Sequence, residues 1–340
     1  MSLIKKAKEL ASETERNLEN KLNKLKNELQ AWQQKYKSVN QELELSEKRF
    51  ETLSSYDHTP QGYNLKKLKA SGEATAILVL SDWHLAEVVD PSTVNNLNTY
   101  DVDIAIKRVK TLFERTAMMI DVARGLSKID TLVVAAIGDF ISGALHDDQK
   151  ETDELSPTES IILGEDLLTS GLSFLKRECK FSNIQVVTCW GNHGRTTQRP
   201  RNSTAYKTSY EQLMYWHLAK TYKEVSWKVE NGYHNYLDIY GRIYRFHHGD
   251  CIKYFGGVGG LQIPAMKAIA DWDRTLSAYH DVFGHYHTTA FQRKYTSNGS
   301  VVGFNDFAIR NKCAYEEPAQ SLIISSRKRG NVLSTSIFTN

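Results

Sequence analysis

Three short apolar runs, AILVLSD, TLVVAAIGD and IQVVTCWGN, each stop at an acid or an amide, and a stretch with helical spacing follows each. Continuous apolar runs of this length suit strands buried on both faces, and their alternation with helices is the grammar of an α/β sheet. VDIAIKRVKTLFERTAMMIDVARG supplies the first helix, residues from about Pro157 to Cys179 the second, and residues near Tyr206 to Tyr222 the third. Beyond Val225 the segments shorten and strands dominate: NYLDIY, RIYRFHHG, AYHDVFGH, SVVGFND, SLIISS and VLSTSIF, with one helix near Leu261 to Trp272. One α/β domain with a mixed second half is expected over residues 74–340. A chain of 340 residues, 41% of them hydrophobic, can bury a core of that size.

Before about Ser55 the period changes. Apolar residues fall at Leu18, Leu22, Leu25, Leu29, Trp32, Tyr36, Val39, Leu43, Phe50 and Leu53, at alternating spacings of four and three, broken only where Ser46 takes a d position. Leu22, Leu29, Tyr36, Leu43 and Phe50 then occupy a, and residues 1–55 read as a coiled-coil helix that makes a homo-oligomer, most simply a dimer. The competing arrangement is one amphipathic helix packed on its own globular domain, but a seam two residues wide is narrow for that. Residues 56–73, with Pro60, Gly62 and Gly72 among polar residues, read as a linker.

The net charge of +3 does not announce a nucleic-acid binder, so any basic surface must be local. Cys179, Cys189, Cys251 and Cys313 show no C-x-x-C spacing, which argues against a zinc finger or disulfide framework and fits a reducing compartment. The start lacks the apolar core of a secretory signal, and no run approaches a bilayer span. A soluble, cytoplasmic protein with no membrane partner is expected.

Polar residues gather where the strands end: Ser81-Asp82-Trp83-His84, Gly138-Asp139, Gly191-Asn192-His193, His247-His248-Gly249-Asp250 and Gly284-His285-Tyr286-His287. The carboxyl ends of strands in an open α/β sheet line one crevice, so all five motifs can converge. Each alone has an ordinary explanation: a turn, a cap or a satisfied core histidine. Together, in order and each at the end of an apolar run, they read as one dinuclear metal site of Asp82, His84, Asp139, Asn192, His248, His285 and His287. Two divalent ions acidify a water and clamp phosphoryl oxygens, which is what hydrolysis of a phosphate ester requires. Mixed Asp, Asn and His donors suit Mn, Fe or Zn better than all-oxygen shells of Ca or Mg, with Mn²⁺ expected first and Mg²⁺ a further option.

This set resembles the calcineurin-like metallophosphoesterase superfamily, over about Ala74 to Asn340. GDFISGALHDDQKETDEL and HHGDCIKYFGGVGGL look most like its phage-type members, in which case the compartment is the host cytoplasm. The resemblance implies a four-layer αββα sandwich preceded by the coiled-coil helix. It also implies one metal on Asp82, His84 and His287, a second on Asn192, His248 and His285, and Asp139 bridging them. His193 would be a catalytic acid or charge stabiliser rather than a ligand. One departure stands out: the family usually carries Asp or Glu after Gly-Asn-His, and this chain has Gly194. Asp147, Asp148 and Asp250 are candidates for the missing carboxylate, and His247 competes with His248 as a ligand.

Arg195, Arg199 and Arg201 follow the third motif in a loop without acids, where they can bind further phosphates, although an exposed polar loop reads the same way. Nearby Trp83, Tyr206, Tyr254 and Phe255 could stack on bases. Gly256-Gly257-Val258-Gly259-Gly260 reads as a flexible closing loop, and Lys66-Lys67-Leu68-Lys69 and Arg327-Lys328-Arg329 as solvated surface. The leading expectation is a phosphodiesterase or nuclease acting on nucleic acid. The alternatives are a phosphomonoesterase or small-nucleotide phosphodiesterase, and a coiled-coil adaptor whose metal domain only binds.

Overall fold

The computed structural model describes residues 3–55, 72–143, 145, 147–254 and 259–340, apart from the side chains of Leu53 and Asp148. Almost all of the expected linker, including Lys66-Lys67-Leu68-Lys69, therefore lies outside the described residues, as do Phe255, Gly256, Gly257 and Val258. The chain divides into two compact units, Met1–Lys66 and Lys67–Asn340.

The first unit holds one helix, α1 (Leu3–Ser54), of 52 residues. Free of Gly and Pro, it runs for about 78 Å at the usual rise of an α-helix. Its stripe residues Leu22, Leu29, Tyr36, Leu43 and Phe50 are exposed, because a lone helix has nothing in its own unit to pack on.

In the second unit the order begins β1 (Glu73–Leu80), α2 (Val102–Arg124), β2 (Lys128–Ala136), α3 (Asp147–Thr152), α4 (Pro157–Cys179), β3 (Asn183–Thr188), α5 (Tyr210–Thr221) and β4 (Ser226–Val229). It continues with β5 (Asn235–Ile239), β6 (Arg242–Phe246), α6 (Gln262–Trp272), β7 (His280–Phe283), β8 (Ala290–Phe291), β9 (Tyr295–Ser297), α7 (Asp306–Arg310), β10 (Ala319–Ser326) and β11 (Gly330–Phe338). The helix ends obey local chemistry. Asp101 caps α2 by accepting from the Ile104 amide, and α4 opens on a Ser156–Glu159 capping box with Pro157 in its first turn.

One sheet runs β11-β10-β1-β2-β3-β4 and the other β5-β6-β7-β9-β8. Strands β1 to β4 are parallel neighbours, and so are β6 and β7. The period of two explains the continuous apolar runs: Ala76, Leu78 and Leu80 of β1 face the core under α2, α4 and α5, while Ile77 and Val79 face the core between the sheets. Phe246 and Val282 meet them from the second sheet, and Ala265 and Ile269 of α6 cover that sheet's other face with Phe283 and Tyr295. The layers are helices, sheet, sheet, helix, as the resemblance implies.

SVVGFND, expected as a strand, is instead a buried loop. Gly303 breaks it in the left-handed region at φ 78°, and its backbone groups bond outside any ladder. The Val301 amide donates to the Asp82 carbonyl, and the Arg108 guanidinium donates to the carbonyls of Val301 and Val302. Once those groups are satisfied, burial needs no strand partner. The sheet takes β9 in its place, and the short β4 and β8 are further additions to the expected set.

Candidate metal centre

Strands β1, β2 and β3 of one sheet and β6 and β7 of the other all point their carboxyl ends at one place, and every motif sits just past such an end. The turns are tight. Asp82 (φ 55°), His84 (φ 48°), Asp139 (φ 53°), His285 (φ 70°) and His287 (φ 52°) all lie in the left-handed region. Each such non-glycine residue costs roughly 1–3 kcal/mol, and strain of this kind gathers where side-chain aim matters more than backbone comfort. Two glycines make room. A Cβ on Gly191 would lie 2.1 Å from Asp139 Oδ1, and one on Gly284 would lie 2.3 Å from Asp82 Oδ2.

The donor atoms form three overlapping groups: Asp82, His84 and His287; His84, Asp139 and His193; Asp139, His248 and His285. Asn192 joins the last, its Oδ1 standing 3.1 Å from His248 Nε2. The seven expected ligands thus lie together, with His193 among them; His84 links the first group to the second and Asp139 the second to the third. His287 Nε2 lies 3.1 Å from His84 Nε2 and 3.6 Å from Asp82 Oδ1. His248 Nε2 lies 2.9 Å from Asp139 Oδ2.

Neighbours fix the aim of these groups. His248 Nδ1 donates to the Ile137 carbonyl at 2.9 Å, which turns Nε2 toward Asp139. Ser81 Oγ donates to Asp82 Oδ2 at 2.5 Å, and the His285 amide donates to both oxygens of the same carboxyl. Glu87 Oε2 stands 3.4 Å from His84 Nδ1, too long for a good hydrogen bond but on the correct side to hold the ring.

The charges are strongly perturbed. Burial raises the Asp82 carboxyl to about 7, with Asp139 adding to the effect. Burial also raises Asp139, but His248 and His193 outweigh it and hold that carboxyl well below its usual range. Burial, then His248, pushes His285 down to about 4; burial, then His285, pushes His287 down to about 3. His285, His287 and the ionised Asp139 are thus in the states that divalent ions require. Burial of His248 is outweighed by Asp139, which holds that ring well above its usual value, so it must lose a proton to bind a metal. Convergent donors and a shared carboxylate fit a pair of such ions.

His193 falls in the middle donor group, with His84 and Asp139. Its amide donates to Asp139 Oδ1 at 2.8 Å, and its Nδ1 donates to the Ser142 carbonyl at 2.6 Å. Of the three suggested acids, Asp147 is exposed and binds Lys150, Asp250 Oδ1 has no hydrogen-bond partner among the described residues, and the Asp148 side chain lies outside them. His247 turns away, stacking on Phe283 with its Nε2 3.5 Å from Asp281, so His248 faces the site.

The residue that sequence reasoning missed is Glu211 at the start of α5. It is fully buried and accepts from the amides of Phe140 and Gly191. Burial, then Asp139, raises its carboxyl to about 7. No motif marks it; the only signal was the absence of an acid at Gly194.

Of the basic loop, Arg195 braces its own turn, donating to the carbonyls of Asn192 and Thr197, and Arg199 and Arg201 are exposed. Arg195, Thr197, Gln198, Lys150 and Tyr210 line a cavity of about 420 Å³. Trp83 cannot stack on a base: it is fully buried, 4.5 Å from the Phe140 ring. Tyr206 and Tyr254 remain partly exposed.

Two packed sheets flanked by helices, with Asp, Asn and His donors at strand ends, define an α/β domain with a candidate metal site. Residues 75–318 match the calcineurin-like phosphoesterase family, and the chain belongs to it. No curated protein matches the chain. Among solved structures it is similar to wild-type Vps29 complexed with Zn²⁺ from Entamoeba histolytica, at 13% identity and a TM-score of 0.32 over 78% of this chain and 99% of that one. A conserved uncharacterized protein from Streptococcus pneumoniae TIGR4, described as a predicted phosphoesterase, gives 14% identity and 0.28 over 77% and 97%. A hypothetical protein from Pyrococcus horikoshii OT3 gives 10% and 0.38 over 78% and 89%. At these values it is the family match that places the chain.

Proposed function

We propose that this protein is a two-metal phosphodiesterase that cleaves nucleic acid, with manganese as its working ion. The observation that carries the reading is the position of Asp139, whose carboxylate groups with His84 and His193 on one side and with His248 and His285 on the other. Two divalent ions held there would polarise a phosphoryl oxygen and supply a water acidic enough to attack at neutral pH. Asp82, His84 and His287 would hold one ion, Asn192, His248 and His285 the other, and Asp139 both.

The remaining residues act on the substrate. With Nδ1 donating to Ser142, His193 presents Nε2 as the nitrogen that can give a proton to a leaving oxygen or bond a phosphoryl oxygen. Exposed Arg199, Arg201 and Lys207 follow His193 in the chain and would offer positive charge to a polyanion's flanking phosphates. Salt should therefore weaken binding of a long substrate more than that of a short one.

A second reading, a phosphomonoesterase or small-nucleotide phosphodiesterase, is favoured by the cavity beside Arg195, whose volume falls in the small-ligand range. The exposed stripe of α1 favours a third component: a coiled coil that pairs two or more copies, or presents the domain as a non-catalytic adaptor. No helix among the described residues is long and apolar enough to cross a membrane.

Manganese-loaded protein should be offered single- and double-stranded DNA, RNA, cyclic nucleotides, and paired aryl phosphate mono- and diesters. Cleavage of nucleic acid and aryl diesters supports the leading reading. Cleavage of monoesters alone removes it, and no turnover with any substrate favours the adaptor.

A further inference from the structure

The place where a side chain of Gly194 would project is filled by another residue's carboxyl group. A Cβ at Gly194 would stand 2.8 Å from Cγ, 3.0 Å from Cδ and 3.1 Å from Oε2 of Glu211. The chain leaves this point as the Arg195 loop and returns to it. The Arg195 backbone bridges to Ser209, the Thr196 amide donates to the Thr208 carbonyl, and the Tyr210 amide donates to the Gly194 carbonyl at 2.8 Å. The first turn of α5 thus delivers Glu211 to the end of the Gly-Asn-His motif.

Both oxygens of Glu211 are engaged there. Oε1 accepts from the Phe140 amide at 2.6 Å and Oε2 from the Gly191 amide at 2.7 Å. These short contacts are in the range of charge-assisted bonds. Phe140 directly follows Asp139, and Gly191 directly precedes Asn192, so one buried carboxyl ties together the turns that carry two of the expected ligands. Gly191 leaves no slack in that arrangement, since its backbone packs against Asp139 itself.

We propose that Glu211 is the positioning residue of the Asp139–Asn192 half of the centre, and that Gly194 and Glu211 form a compensating pair in which α5 supplies the carboxylate that the turn after His193 lacks. This rests on reading the cluster as a metal centre. Glu211 touches no reacting atom; it sets the distance between the turns that aim Asp139 and Asn192. Groups that orient metal ligands typically govern affinity or activity by about 10–100-fold. The backbone of Gly194 is not in the left-handed region, and the three atoms nearest to an added Cβ all belong to Glu211, so Glu211 takes the space that a side chain here would need.

The pairing can be tested by moving the carboxylate. The full-length chain and its Glu211→Gln, Glu211→Ala, Gly194→Glu and Gly194→Glu/Glu211→Ala variants would be titrated with manganese by calorimetry, assayed on an aryl phosphodiester, and checked for folding by circular dichroism. Glu211→Gln keeps the shape but must turn an amide NH₂ toward one backbone N–H. It should bind the weaker manganese at least tenfold less tightly and lower kcat with little change in KM, while remaining folded. Gly194→Glu should fold poorly on the native background, and the double variant should bind manganese at least tenfold more tightly than Glu211→Ala alone. Wild-type metal affinity and kcat in a folded Glu211→Gln variant, or a double variant no better than Glu211→Ala, would overturn the proposal. Failure of the wild-type chain itself to bind manganese would overturn the metal-centre reading, and this inference with it.

Discussion

His84 and His287, 203 positions apart in sequence and carried by different sheets, face each other through their Nε2 atoms at 3.1 Å. Two imidazole nitrogens at that separation can share one proton or bind one cation. The surroundings favour the cation, because burial keeps both rings neutral and the Asp82 carboxyl stands beside them. Both Nδ1 atoms are buried without a hydrogen-bond partner among the described residues. Ligation at Nε2 would repay some of the cost of leaving them so.

Removing metal should therefore destabilise the fold as well as stop turnover. A site that exists only in the folded state adds stability as its ligand binds, about 2.7 kcal/mol at a hundredfold excess over Kd. Excess chelator should lower the melting temperature by several degrees, and manganese should restore it. Calorimetric scans with and without EDTA provide the check, and an unchanged melting point would contradict the expectation.

His193 separates chemistry from binding. It contacts Asp139 through its backbone amide, so losing the ring should leave the ligand turns in place. His193→Gln should lower kcat by about 10²–10⁴-fold, the usual range for a general acid or base. Metal content measured by emission spectrometry should be unchanged. Loss of an ion in this variant would make His193 a ligand instead.

Arg245 and Asp281 support the site from below. Both are fully buried and joined by a two-point ion pair of 2.6 and 3.1 Å, across the paired strands β6 and β7 that lead into His248 and His285. Asp281→Ala would leave a buried cation short of its partner and should cost about 3–5 kcal/mol. Urea unfolding of the metal-free protein measures this directly, and a loss below about 1 kcal/mol would show that Asp273, the other acid on Arg245, suffices.

Acid should destabilise the metal-free protein partly through His280. Burial, outweighing a backbone hydrogen bond to Arg293, holds this imidazole down to about 4, and its Nε2 lies 2.9 Å from Thr296 Oγ1. The unfolded chain binds a proton near the ordinary histidine value while the fold does not. Stability is therefore present above about pH 6.5 and lost as pH falls toward 4, by on the order of 3 kcal/mol for a shift of this size. His280→Gln should flatten that part of the pH–stability curve, and an unaltered slope would assign the acid sensitivity elsewhere.

The apolar runs and their polar ends were legible in sequence because burial on two faces leaves a continuous signature, and because chemistry collects at strand ends. Asp82, Asp139 and His285 could be picked out before their positions were known. Glu211 could not, since it belongs to the amphipathic pattern of α5 and reaches the site only because the Arg195 loop closes on itself. Trp83 misled for the converse reason: adjacency to a motif says nothing about which face a side chain takes. SVVGFND reads as a strand by composition, yet its amides and carbonyls are satisfied by Asp82 and Arg108, which no local pattern reveals.

The stripe of α1 makes its own prediction. If Leu22, Leu29 and Leu43 form a seam between copies, sedimentation should find a dimer or higher oligomer, and replacing all three by Glu should give a monomer that keeps its turnover per chain. A monomeric wild-type chain would remove the oligomer.

The central claim, a two-ion phosphoesterase organised around Asp139, is tested most directly by one titration. Wild-type and Asp139→Asn proteins would be titrated with manganese while hydrolysis of an aryl phosphodiester is followed in the same samples. Two ions per wild-type chain, with turnover rising on the second, and weakened binding with turnover down by at least about 10³-fold in the variant, are the predicted results. Full activity in a folded Asp139→Asn protein, or a wild-type chain that turns over with no divalent ion bound, would contradict it.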